Sequence, residues 1–236
     1  MRGPSSEYAA PPVYVFPDPP KPGIRFSRVE LVQLAIAILA LSGALTLLNV
    51  VYSGLPRSSP GFLLFVGIVF ASALVAVGTG VGVHEIAHKA VAQRYGHWAE
   101  FRYNPMGLLL AFVFAFLGFI YGAPGATLVS GNVTREQHGR ISAAGPASNL
   151  ALAAGFLGLS SLIAPGLESP DLGLFVVFSL AANTALMNVI LAGFNMIPVL
   201  PLDGAKVWAW NKPVYVAIVG LAIALFLLGY QSDFFL

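Results

Sequence analysis

The sequence predicts an all-α polytopic membrane protein of five to six transmembrane helices. A re-entrant or β-hairpin segment is expected between the second and third spans of its core. Three observations point to this class. Of 236 residues, 57% are hydrophobic and only 9% charged, against about 45–50% and about 25% in ordinary soluble domains. The mean hydropathy is +0.81, and the few charges cannot coat a soluble globule of 24.8 kDa. The apolar residues come in runs of about twenty, long enough to cross roughly 30 Å of hydrocarbon. A soluble enzyme, a nucleic-acid-binding module and a disordered scaffold are thereby excluded. The net charge of +2 is small, and the basic residues cluster at the ends of apolar runs, so they report orientation in a bilayer better than an anionic ligand. With no cysteine in the chain, any metal must be held by His, Asp or Glu.

Residues 1–28 are Pro-rich and mixed in charge, and read as an extended tail. Residues 29–231 read as one membrane-embedded domain. Its first span covers about Val29 to Val51; no cleavable leader pattern opens the chain, so this segment is expected to stay as an anchor. A turn (SGLPRSSPG) precedes a long apolar run from Phe62 into HEIAHKAVAQRYG. A shorter stretch, Met106 to Tyr121, is followed by the polar SGNVTREQHGR. Three further runs cover Ile141–Ala164, about Leu172–Ile197 and Pro213–Leu228. Whether 106–121 crosses decides the side of everything after it. If it crosses, seven Lys/Arg fall on the N-terminal side and five on the other; if it re-enters, eleven fall on the N-terminal side and only Arg57 opposite. The positive-inside bias selects re-entry, with the N-terminus cytoplasmic. The alternation of Phe112, Phe114 and Phe116 suits an extended hairpin as well as a helix.

HEIAH, with His84, Glu85 and His88, carries the strongest chemical signal. On a helix, residues four apart lie about 40° apart in azimuth and about 6 Å apart in rise, so both imidazoles share a face and can grip one Zn²⁺. Glu85 sits one step round, placed to act as general base towards zinc-activated water. With four His and six Glu in the chain, chance supplies this pattern roughly 0.002 times. A catalytic zinc site usually takes three protein ligands. Asp18, Glu7, Asp233 and Glu30 lie in or beside the tails, Asp171 and Glu168 fall on the opposite side, and Glu100 and Glu136 sit in basic, wet segments. His97 would face away from His88, and His138 lies in a polar linker. Asp203 ends the proline-broken NMIPVLPLDG on the same side as HEIAH; the bland alternative is a turn capping the next helix. Asn188 and Asn195 share a helix face. With Asn149 they are candidate substrate-binding residues, the competing role being helix–helix hydrogen bonds.

Together, HEIAH, the Asn195–Gly204 segment NMIPVLPLDG and AAGPASN (Ala143–Asn149) resemble the site-2 protease family of intramembrane zinc metalloproteases, over about residues 61–212. The resemblance implies one zinc per chain held by His84, His88 and Asp203, Glu85 as catalytic base, a three-helix core and a substrate-holding β-hairpin within 101–130. It implies an endopeptidase acting on transmembrane protein substrates in the lipid bilayer. The linkers are too short for a PDZ insertion, as in a minimal member. Two other classes compete. A non-catalytic membrane binding or chaperone protein keeping the fold has no need of Glu85. A transporter with a structural metal predicts that Glu85→Gln changes nothing.

Overall fold

The structure, a computed structural model, describes residues 23–120, 124–168, 171–232 and 234. Most of the Pro-rich tail, and with it Glu7 and Asp18, lies outside the described residues, as does Asp233. Helix α1 (Arg28–Tyr52) starts at Ser27, whose hydroxyl accepts the Glu30 N–H at 3.1 Å. Helix α2 (Phe62–Val77) runs without a break through a π-helical turn (Gly78–Val83) into α3 (His84–Arg94). This 33-residue rod is about 50 Å long and outreaches the hydrocarbon layer. Strand β1 (Trp98–Tyr103), helix α4 (Pro105–Phe116) and strand β2 (Gly125–Ser130) follow. Helix α5 (Arg135–Ile163) and a 3₁₀ turn (Ala164–Glu168) lead to α6 (Leu172–Asn195), the short α7 (Asp203–Trp210) and α8 (Lys212–Gln231). Among the described residues, five helices are long and apolar enough to cross a membrane, and the protein is multi-pass.

Of the stretch 106–121, residues 106–116 are helical, where the alternating phenylalanines equally suited an extended hairpin. Asn104 caps α4 by accepting the N–H groups of Met106 and Gly107 at 3.1 and 3.2 Å, and Pro105 takes the first turn, where no N–H is needed. Twelve residues reach about 18 Å, too short to cross. The extended pieces are its flanks: β1 and β2 pair antiparallel, with Trp98 opposite Ser130 and Tyr103 opposite Gly125. The chain therefore enters and leaves α4 on one side, and α5 starts on the side where α3 ended. Gly125 makes the close pairing possible, since a Cβ there would lie 2.5 Å from the Phe101 ring and 2.8 Å from Tyr103 Cα.

A buried ion pair fixes this hairpin to the helices. Glu30, which the sequence placed beside the tail, is 1% exposed, as is Lys89. Lys89 Nζ donates to Glu30 Oε2 at 2.6 Å and to Ala99 O at 2.8 Å. Glu30 Oε1 accepts the Phe101 N–H at 3.1 Å, and Gln33 Oε1 accepts that of Tyr103 at 3.2 Å. Helix α1 thereby satisfies the outer edge of β1, and Lys89 ties that edge to α3. Elsewhere the core is built largely from small side chains. Ala37, Ala44, Ala111 and Ala115 pack one cluster around α1 and α4, and Ala153, Ala185 and Ala192 pack another between α5 and α6. Small residues let helices approach closely where no hydrophobic force drives them together.

Candidate metal centre

Three buried side chains from distant parts of the chain converge. His84 and His88 stand one turn apart on α3, and Asp203 opens α7. Their facing atoms form a tight triangle: His84 Nε2 to His88 Nε2 is 2.9 Å, His84 Nε2 to Asp203 Oδ2 is 3.3 Å, and His88 Nε2 to Asp203 Oδ2 is 3.1 Å. The edge of a tetrahedron with metal–ligand bonds of 2.0–2.1 Å is about 3.3 Å. The other ring nitrogens are committed elsewhere. His84 Nδ1 meets Asn149 Oδ1 at 2.5 Å and His88 Nδ1 meets the Ile141 carbonyl at 2.7 Å. Both of those partners only accept, so each Nδ1 carries the proton and each Nε2 turns its lone pair to the centre. Two lone pairs and a carboxylate oxygen pointed at one another repel unless a cation joins them. The donor set fits zinc, and the three residues form the one cluster able to hold a metal among the described residues.

The surrounding chain explains the convergence. The π turn ahead of His84 leaves the Gly80 carbonyl to accept from Asn149 Nδ2 at 2.8 Å. Asn149 also donates to Asn188 Oδ1 at 2.9 Å, and Asn188 donates to Thr79 Oγ1 at 3.1 Å and to Thr184 O at 2.9 Å. Asn149 and Asn188 are fully buried, and they sit behind His84, joining α5, α6 and the π turn. Asn195 lies apart from them; it is half-buried and donates to Leu191 O within its own helix. Helix α5 can press on the imidazoles because residue 145 is glycine: a Cβ there would stand 2.5 Å from the His88 ring and 2.6 Å from that of His84. Gly204 does the same for α7, since a Cβ would strike the backbone of Met196 and Ile197, where the chain leaves α6. Asp203 Oδ1, turned from the imidazoles, faces Lys206 Nζ at 3.7 Å.

Glu85 lies on the flank of α3 towards the sheet. Its Oε2 accepts the Thr127 N–H at 2.7 Å, and the Thr127 hydroxyl donates to the Glu85 carbonyl at 3.1 Å. In an antiparallel pair, N–H groups alternate between the partner strand and the outside. Phe101 opposite Thr127 turns its N–H away from β2 to Glu30, and Thr127 correspondingly turns its own away from β1 to Glu85. The outer edge of β2, with Gly125, Thr127 and Val129, thus runs past Glu85. Thr127, Gly80 and the Ile141 carbonyl went unnoticed in the sequence, and Gly145 entered only as part of AAGPASN, with no contact assigned to it. Gly145 carried a signal, as the glycine of AAGPASN, and so did the alternation of Gly78, Gly80 and Gly82. The backbone partners carried none.

A protein of Methanocaldococcus jannaschii, provisionally named a zinc metalloprotease, is 37% identical over 209 residues, covering 88% of this chain and 95% of that protein. The chain belongs to the site-2 protease family of zinc metalloproteases. Another member, the provisionally named zinc metalloprotease Rip3 of Mycobacterium tuberculosis, is 32% identical over 133 residues, or 55% of this chain and 28% of that protein. No protein-family model matches the chain, and no solved structure does. Zinc, which the names of these family members specify, is the cofactor that the His84, His88 and Asp203 cluster fits.

Proposed function

We propose that the protein is an intramembrane endopeptidase that hydrolyses a peptide bond within or near a transmembrane segment of its substrates. One observation carries the reading: Glu85 stands beside His84 and His88 on α3 and at the same time against the outer edge of β2. His84, His88 and Asp203 would hold a zinc ion, which when bound would supply a Lewis acid for a carbonyl and for water near neutral pH. Glu85 Oε2 is held by the Thr127 N–H, which leaves Oε1 to accept the proton of the attacking water. As the C–N bond breaks, the same oxygen returns that proton to the leaving amine nitrogen, so no proton is lost. Asn149 and the Ile141 carbonyl hold the two imidazoles in the tautomer that leaves Nε2 unprotonated. By the charge count the N-terminus and the site face the cytoplasm.

A transmembrane helix hides its carbonyls in hydrogen bonds, and these must open before attack. The outer edge of β2 can replace them by strand addition, laying an unwound segment beside Glu85. The Val129 N–H points outward and is spare to the β1 ladder, so proline is sterically acceptable there. Glu85→Gln is expected to keep stoichiometric zinc and lose turnover of a model transmembrane substrate. Val129→Pro is expected to keep zinc and cut turnover at least about tenfold. Full turnover in Glu85→Gln would remove Glu85 as the base, and no turnover by the zinc-loaded parent would leave the non-catalytic or transporter reading standing.

A further inference from the structure

Away from the metal centre, Arg135, Trp208, Ala209, Trp210, Asn211, Lys212 and Pro213 line an open cavity of about 590 Å³. We propose that this cavity binds the phosphate of an anionic phospholipid headgroup. Its two charged lining residues are both cations, with no acidic side chain among them. Arg135 Nη2 donates to the Ala209 carbonyl, which anchors the guanidinium at the rim while its other N–H groups remain to be offered. Lys212 Nζ lies 5.0 Å over the Trp208 ring. Arg140 is 5.9 Å over Trp210 but pairs with Glu136 at 2.7 Å and adds little net charge.

The setting selects a lipid phosphate over a soluble one. Arg135 and Lys212 are the first residues of α5 and α8, two of the five spans, so the cavity opens where these spans meet the headgroup layer. Both helices also turn their positive ends towards it. Trp208 is 41% exposed and packs edge-on against Tyr215 at 5.0 Å, the arrangement of rings at a membrane boundary. Trp210 is seated against Gly139, where an added Cβ would strike the Trp210 side chain, so the cavity wall is fixed to α5. Helix α7 carries this wall at one end and Asp203 at the other, about 10 Å away. A bound headgroup therefore steadies the helix that delivers Asp203.

Tryptophan fluorescence tests this, because Trp98, Trp208 and Trp210 are the only tryptophans in the sequence and Trp98→Phe leaves the two at the cavity. The full chain is reconstituted in vesicles of fixed phosphatidylcholine and phosphatidylglycerol content. Bromine quencher is placed on the acyl chains of either the phosphatidylglycerol or an equal amount of phosphatidylcholine. Quenching is expected to be stronger with brominated phosphatidylglycerol, since each basic side chain at an anionic surface enriches such lipid about fivefold. The preference should vanish in Arg135→Gln/Lys212→Gln and persist in Arg135→Lys/Lys212→Arg, with zinc content unchanged in both. Equal quenching in the parent, or a preference that survives the Gln pair, overturns the proposal. Loss of the preference on adding inorganic phosphate at matched ionic strength would assign the cavity to a soluble phosphate and overturn the lipid.

Discussion

Gly145 constrains the metal centre as strongly as the side chains that face it. Its missing Cβ is what allows α5 to lie against His84 and His88. Alanine is the better helix former, by about 1 kcal/mol in a helix interior, so Gly145→Ala should leave helicity intact by circular dichroism. The added methyl must push the imidazoles, and zinc affinity measured by chelator competition is expected to fall at least about tenfold. Unchanged affinity would show that α5 is free to withdraw. The HExxH spacing was legible because a helix fixes the geometry of residues four apart. Asp203 was reached by excluding other carboxylates and by counting charges. The partner of His84 was not legible: Asn149 lies 65 residues away, and the sequence left each asparagine between substrate binding and a helix–helix hydrogen bond, with no way of seeing which neighbour it meets.

The hairpin and α1 form a second layer of positioning. Lys89 follows His88 directly, and its pairing with Glu30 fixes α3 to the strand that flanks Glu85's own partner. Removing one member of a fully buried pair leaves an uncompensated charge and costs about 3–5 kcal/mol, whereas replacing both by apolar groups is close to neutral. Glu30→Gln should therefore lower thermal stability in detergent markedly, and Glu30→Leu/Lys89→Leu should recover most of it. Equal losses in the single and double variants would show that the pair's hydrogen bonds to Ala99 and Phe101 matter more than its charge balance. The sequence set Glu30 aside as a tail carboxylate because nothing local reveals a partner 59 residues on. For α4 the signal was present: Asn104-Pro105 is a helix-start pair, and it outweighs the period-two run of phenylalanines.

Across the described residues, five membrane-length helices and the short α4 place the ends of α3 and α6 and the starts of α5, α7 and α8 at one end of the bundle, with the metal centre among them. Charge counting reached the same parity because an eleven-to-one partition of Lys/Arg is far from even, whereas a sixth crossing would level it. The natural chain lacks cysteine, so single cysteines report sidedness without background. Arg94→Cys and His138→Cys, both exposed, should react with an impermeant maleimide from the same face of oriented vesicles, and Arg57→Cys from the other. Opposite labelling of positions 94 and 138 would mean that the segment between them crosses.

Zinc binding by Asp203→Ala bears most directly on the union of two distant segments around one ion. The parent chain should hold one zinc, and the variant's affinity in a chelator competition should fall by more than about 100-fold, beyond the 10–100-fold typical of losing an outer-shell partner. An Asp203→Ala protein that retains zinc with the parent's affinity would contradict it.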